Sequence, residues 1–195
     1  MFEMKIDTSD MLRVVDQMEG AFDQVPFAMS RALNDAAFEA RQHLIDVTWP
    51  QSVTRRNTGF LAQALHIERS NKYDLSVSIV DKLGRANLAK HADGGVKLPR
   101  GAHLAIPTSA VSIGSHGVAP GQKPAVLTNK IVKGNGIYQW QGKGKNRHLV
   151  LMYVLATHAT IKKDVPFRED FQTVMMSSMT ASFPKRMEEA METRK

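Results

Sequence analysis

An α+β fold is predicted by three features of this 195-residue sequence. An Ala-rich stretch opening at Pro26 and a long terminal stretch from Val165 both repeat their apolar residues at helical spacing. Between them lie short apolar runs of strand length, separated by Gly, Asn and Pro. The expected architecture is a small antiparallel sheet of two hairpins, packed against the Ala-rich helix and a long kinked C-terminal helix, with one long extended loop. A chain of this length buries one sizeable core, so a single domain over residues 1–195 is the default.

Taken in order, Ser9 is placed to cap a short helix through Glu19, with Met11, Leu12, Val14, Val15 and Met18 on its apolar side and Gly20 to stop it. Pro26 then suits a first helical position. Leu33, Ala37, Ala40 and Leu44 recur at helical spacing until Trp49-Pro50 ends the pattern. Thr58-Gly59 turns the chain, and Phe60 to Leu65 makes one or two helical turns. Leu65–Glu68 and Leu75–Val80 read as paired strands with Asn71-Lys72 near the turn, and Leu75, Val77 and Ile79 share the face that meets the Ala-rich helix.

Gly84 to His91 reads as a further helical turn, and Asp93-Gly94-Gly95 as a loop. Leu104 to Val111 suits a short strand that Pro107 confines to a sheet edge. Residues 114–136 are rich in Gly, Pro and Lys and show no period. A connection longer than about 12 to 15 residues is usually functional or disordered, so this one is expected as an extended arm that orders against a neighbouring molecule.

The most informative stretch is Gly134 to Phe171. Ile137 to Trp140 alternates as a half-buried strand does, and Gly142-Lys143-Gly144-Lys145-Asn146 supplies a reversal. Leu149 to Leu155 is a nearly continuous apolar run, which suits a strand buried on both faces. A β-hairpin with a basic tip is therefore predicted. The last helix follows from about Val165 to Glu192, with Phe167, Phe171, Val174, Met175, Met179, Phe183 and Met187 on one side. Pro184 should kink or break it, and residues 188–195 form a frayed tail.

Composition excludes several chemistries. The chain has no cysteine, so disulfides, thiolate metal sites and thiol nucleophiles are ruled out. The N-terminus lacks the regions of a signal peptide, and no apolar run approaches the roughly 18 residues of a membrane span. A soluble protein made and used in the cytoplasm, or in a particle assembled there, is expected. The eleven methionines read as adaptable core and contact surface.

The seven histidines are scattered with no metal-binding spacing, and neither GxxxxGK[ST] nor GxSxG occurs. Gly142 to Lys145 joins two predicted strands, whereas a phosphate loop opens a helix. Glu188, Glu189 and Glu192 read as a solvent face. No catalytic, cofactor-binding or metal-ligating residue is assigned, and the expectation is a protein that is not an enzyme and needs no cofactor.

Net charge is +7, and its distribution is more telling than its sum. Gly95 to Lys163 contains no Asp or Glu, while Lys97, Arg100, Lys123, Lys130, Lys133, Lys143, Lys145, Arg147, Lys162 and Lys163 fall there. An acid-free basic middle implies a nearby polyanion or acidic protein surface. Lys143, Lys145, Arg147, Lys162 and Lys163 are the candidate contacts to a DNA channel or acidic partner. Lys123, Lys130 and Lys133 are assigned to the arm at a subunit interface. Beside Tyr138 and Trp140, the hairpin tip also suits phosphate contact without sequence reading.

Three signals in this order carry a resemblance: VPFAMSRALNDAAFEARQHL, NTGFLAQALHIE before a β pair, and GIYQWQGKGKNRHLVLMYVLATHATIKKDVPF leading into an amphipathic terminal helix. Together they resemble the minor tail protein Z or tail-completion family of long-tailed bacteriophages, and more loosely the phage neck proteins. FPKRMEEAM is similar to the family's C-terminus. The resemblance implies a structural virion protein acting at the head-proximal end of the tail, with no catalysis. It also implies tail-tube, terminator or neck proteins as partners and a homo-oligomeric ring, commonly six-fold in the related proteins.

Overall fold

The computed structural model describes residues 3–5, 24–84 and 87–192. The chain groups into two compact units. A helical unit comprises Met1–Thr54, Gly59–Asp93 and Lys163–Lys195, and a β unit comprises Arg55–Thr58 and Gly94–Lys162. The predicted helix over Ser9–Glu19 lies outside the described residues.

In the helical unit, α1 (Val25–His43) opens on Pro26, whose missing N–H costs nothing at a first turn. Ala28, Ala32, Ala36 and Ala40 recur every fourth residue and expose no surface. Such a small-residue stripe permits close approach, and α1 runs along α5 (Phe167–Glu192) while also touching β2 (Leu65–Glu68) and β3 (Ser78–Asp81). Phe167, Phe171, Met175 and Met179 complete the core from the α5 side. Fully burying each such side chain stabilises by about 1.5–3 kcal/mol.

Trp49-Pro50 does not end the first helix. Leu44–Thr48 widens into a π-helical turn in which the Trp49 N–H reaches Leu44 O, and α2 (Trp49–Ser52) continues with Pro50 in its first turn. The shifted hydrogen-bond register absorbs the proline. Trp49 then stacks on Phe167 at 5.8 Å between ring centroids. Pro184 likewise sits inside α5, which continues past it without the break that was one of the two expected outcomes. Arg186 pairs with Asp35 on α1 at 2.6 Å and with Glu189 at 2.7 Å, tying down the turn that follows the proline. The tail expected to fray from residue 188 is helical through Glu192, and Ala190 is buried.

A three-stranded antiparallel sheet, ordered β1-β3-β2, carries the rest of this core. Strand β1 (Glu3–Lys5) places Met4 opposite Ile79, and β2 places Ile67 opposite Ile79 from the other side. All four residues of β3 are therefore buried. The loop after β2 is pinned to α1 by a reciprocal pair: Asn34 Nδ2 donates to Ser70 O and Ser70 N donates to Asn34 Oδ1, both at 3.0 Å. Short helices α3 (Phe60–Ala64) and α4 (Leu88–Asp93) add Leu61, Ala64, Leu88 and Ala92.

The β unit holds three small antiparallel sheets. β4 (Gly95–Lys97) pairs with β11 (Ala159–Ile161), and β6 (Ile113–Gly114) with β7 (Gly117–Val118). The main sheet is antiparallel in the order β5-β10-β9-β8, from β5 (Leu104–Pro107), β8 (Lys130–Lys133), β9 (Gly136–Gln141) and β10 (His148–Ala156). Pro107 falls on an edge strand, as its lack of a donor requires. One face of this sheet closes a small core of Val111, Leu127, Ile137, Met152 and Tyr153.

Two expectations change here. Residues 114–136 are not an arm awaiting a neighbour. The Tyr153 hydroxyl donates to Gln122 O at 2.6 Å, Ser112 N donates to Gln122 Oε1 at 2.6 Å, Leu127 is buried, and β8 pairs with β9. Nor is β10 buried on both faces. Leu149 is 42% exposed and Val154 40%, because the core covers only the Tyr153 side.

Candidate partner-binding surface

The hairpin tip owes its shape to glycine. Gly142 has φ +81°, and a Cβ there would sit 2.3 Å from Asn146 O, so a side chain at this position forces the loop open. The chain then makes a single 3-10 turn, Gly144–Asn146, closed by Arg147 N donating to Gly144 O at 3.2 Å. Lys143, Lys145 and Arg147 all emerge exposed. The Arg147 guanidinium lies 4.6 Å from the centroid of the Trp140 ring, a cation–π contact that fixes one cation against the sheet.

The other cations named from sequence differ in what they engage. Lys123 and Lys133 are exposed in the β unit, whereas Lys130 donates to Pro124 O at 2.7 Å and to Ala125 O at 3.2 Å. Lys162 is exposed in the β unit. Lys163 belongs to the helical unit and is committed to Glu169.

Sorting all charges by unit sharpens the acid-free middle into a property of one folded body. The β unit carries eleven Lys and Arg, including Arg55 and Arg56, and no Asp or Glu; the helical unit carries fifteen against nineteen carboxylates. The first therefore stands at +11 and the second at −4, summing to the +7 of the chain. With a screening length of about 8 Å at physiological salt, such a density of like charge is felt chiefly by whatever touches it.

Among the described residues, several carboxylates of the helical unit are held by cations of the same unit. Arg168 beside Asp93, at 2.8 Å, holds that carboxyl below its usual range. Lys163 does the same for Glu169, and Arg186 for Glu189. The guanidinium of Arg186 is pushed up in turn by its bonds to Asp35 and Glu189. In the β unit, burial raises the Tyr153 phenol.

The sequence reading missed an exposed apolar face on this unit. Cross-strand partners point to one side of a sheet. The pairs Ile106–Val154, Leu151–Tyr138, Tyr138–Ile131 and Leu149–Trp140 thus form the face opposite the small core. Ile106, Ile131, Leu149 and Val154 are each about two-fifths exposed, at 41, 39, 42 and 40%. Gly136 lies among them, and a Cβ there would meet Leu151 and the Tyr138 ring at 2.8 Å. The irregular register between Leu151 and Tyr153 is what keeps Leu151 and Val154 on the same side. An unbroken run of apolar residues does not announce such a bulge.

Two grooves of about 360 and 340 Å³ lie in the helical unit. The first is lined by Asp35, Phe38, Glu39, Ser182, Lys185 and Arg186; Arg186 is engaged with Asp35 and Glu39 with the Ser178 hydroxyl, while the buried Ser182 hydroxyl makes no hydrogen bond among the described residues. In the second, Arg41 donates to the Leu65 and Ala62 carbonyls. Among the described residues no group of three or more His, Asp or Glu is arranged to hold a metal ion, and no helix is long and apolar enough to cross a membrane. No protein-family model, curated protein or solved structure matches the chain.

Proposed function

We propose that this chain is a structural virion protein of a tailed bacteriophage. It is a tail-completion or neck component at the head-proximal end of the tail, working in several copies as a ring that joins tail to head around the DNA channel. The observation that carries the reading is the separation of charge. A β unit at +11 with no carboxylate, on a four-stranded sheet, suits a part that meets a polyanion or an acidic protein surface in every copy. The ordered sequence signals that resemble the tail-completion family supply the biological setting. The partners are tail-tube, terminator and neck proteins, with sequence-independent contact to packaged DNA. The chain contributes fit and charge rather than a reaction.

Mass spectrometry of purified particles, with negative-stain imaging of the isolated protein, tests this. The chain should be found in particles in several copies and form closed assemblies when purified. A monomer absent from particles contradicts it.

A second reading is favoured by one specific arrangement: Lys143, Lys145 and Arg147 exposed at one tip with Arg147 against Trp140. The chain then binds nucleic acid without sequence preference through the hairpin of residues 137–155. Affinity for duplex DNA should fall steeply with salt. Replacing the three cations together by alanine should lower the slope of log affinity against log salt by about three, near one per lost phosphate contact. An unchanged slope rejects this reading.

A further inference from the structure

We infer that the exposed face of the four-stranded sheet is the docking site for residues 7–23 of a second copy of this chain. The inference deepens the multi-copy reading above and rests on it. The face has an apolar centre of Ile106, Val154, Leu149 and Ile131, with Tyr138 and Trp140 half-buried among them. Its rim is cationic. Arg147 covers the Trp140 ring, and Lys133, opposite Gly136, stands on the same side. An occupant must therefore bring apolar side chains and carboxylates together in one short segment.

The chain contains such a segment. Residues 7–23 include Asp7, Asp10, Asp16, Glu19 and Asp23 against the single cation Arg13, and interleave them with Met11, Leu12, Val14, Val15, Met18 and Phe22. That stretch, at −4, holds the entire acid surplus of the helical unit. Its charge is opposite to that of the β unit, and its apolar residues match the exposed face in kind. In sequence it lies between β1 and α1.

A contact between two different surfaces of identical chains is head-to-tail, and repetition of such a contact produces a closed ring or an open filament. The four aliphatic side chains at its centre argue against nucleic acid as the occupant of this face. Base stacking needs an open aromatic face, and here the exposed centre is aliphatic.

The test uses the full-length chain and a labelled synthetic peptide of residues 6–23. The peptide should bind the chain, lose at least tenfold in affinity in the double variant Leu149→Glu, Val154→Glu, and weaken as sodium chloride rises. In sedimentation velocity the unmodified chain should form concentration-dependent oligomers that excess peptide disperses and that the double variant lacks. Both substitutions are on exposed positions, and circular dichroism checks that the fold is kept. A second full-length variant, Asp10→Asn, Asp16→Asn, Glu19→Gln, should weaken assembly independently, with the sheet untouched.

Equal peptide affinity for chain and double variant overturns the inference. So does a chain monomeric at every concentration, or an oligonucleotide that protects this face while the peptide does not. If the chain is in particles but the double variant assembles normally, the docking site is wrong and the phage reading stands. If the peptide contact is confirmed but the chain is absent from particles, the phage reading fails and the contact stands.

Discussion

The helical unit and the β unit solve the problem of charge in opposite ways. In the first, cations and carboxylates meet within the unit: Arg186 between Asp35 and Glu189, Arg168 on Asp93, Lys163 on Glu169, and Arg31 on Glu189 at 3.4 Å. In the second there is no carboxylate to meet, and its cations turn to backbone carbonyls, as Lys130 does, or to an aromatic face, as Arg147 does. Exposed ion pairs contribute little to stability, with a median of about 0–1 kcal/mol. The contrast therefore says less about what holds each unit together than about what each presents to other molecules. The apolar surfaces differ in the same sense. The helical unit covers both faces of its central strand β3, whereas the β unit leaves one whole sheet face open.

The largest effect that would probe this comparison is expected in the helical core. Phe167→Ala removes a fully buried ring stacked on Trp49 and should cost about 3–5 kcal/mol, read as lost hydrogen-exchange protection in α1 and α5. A loss under 1 kcal/mol would mean that the long helix is held mainly by its polar ties. In the β unit the matching probe is milder. Tyr153→Phe deletes the hydroxyl that binds Gln122 O and should cost about 1 kcal/mol, concentrated in residues 112–127. No change there would restore the picture of an independent arm.

Acid separates the units next. Asp93, Glu169 and Glu189 are held below their ordinary carboxylate pKa, so the folded state binds fewer protons than the unfolded one near those values. Their stabilisation is complete above the unfolded carboxylate pKa, about pH 4–4.5, and is lost as pH falls through the lower folded values. Protection in the helical unit should therefore begin to fall below about pH 4. The β unit, lacking Asp and Glu, contributes nothing of this sign. Exchange measured from pH 5 to 3 checks it, and a first loss in β9 and β10 would contradict it. The smallest expected effect is on stability at the tip. Lys143→Ala with Lys145→Ala should move the unfolding midpoint by no more than about 0.5 kcal/mol, because both side chains are exposed.

Much of this fold is legible in the sequence where the signal is local. Periodicity finds α1 and α5, Pro107 marks an edge strand, and the glycines at 142 and 144 mark the reversal between β9 and β10. The charge separation is visible as a stretch without a single Asp or Glu. What escapes depends on distant partners. Strand β1 is three residues long, too short for any period, and exists through pairing with β3 some 75 positions away in sequence. The order of residues 114–136 comes from the Tyr153 hydroxyl and the burial of Leu127, neither of which a composition rich in Gly and Pro reveals. Leu149 to Leu155 reads as doubly buried because an apolar run looks the same whether a second layer covers it or not.

The central proposal is that the exposed lysines of the β unit meet another molecule, while Lys163 of the helical unit is engaged with Glu169 of the same unit. Lysine-reactive footprinting, comparing the assembled form with the dissociated chain, tests it most directly. Lys133, Lys143, Lys145 and Lys162 should lose reactivity on assembly, while Lys163 and Lys185 keep theirs. Protection of Lys163 and Lys185 with the four β-unit lysines still fully reactive would contradict the account.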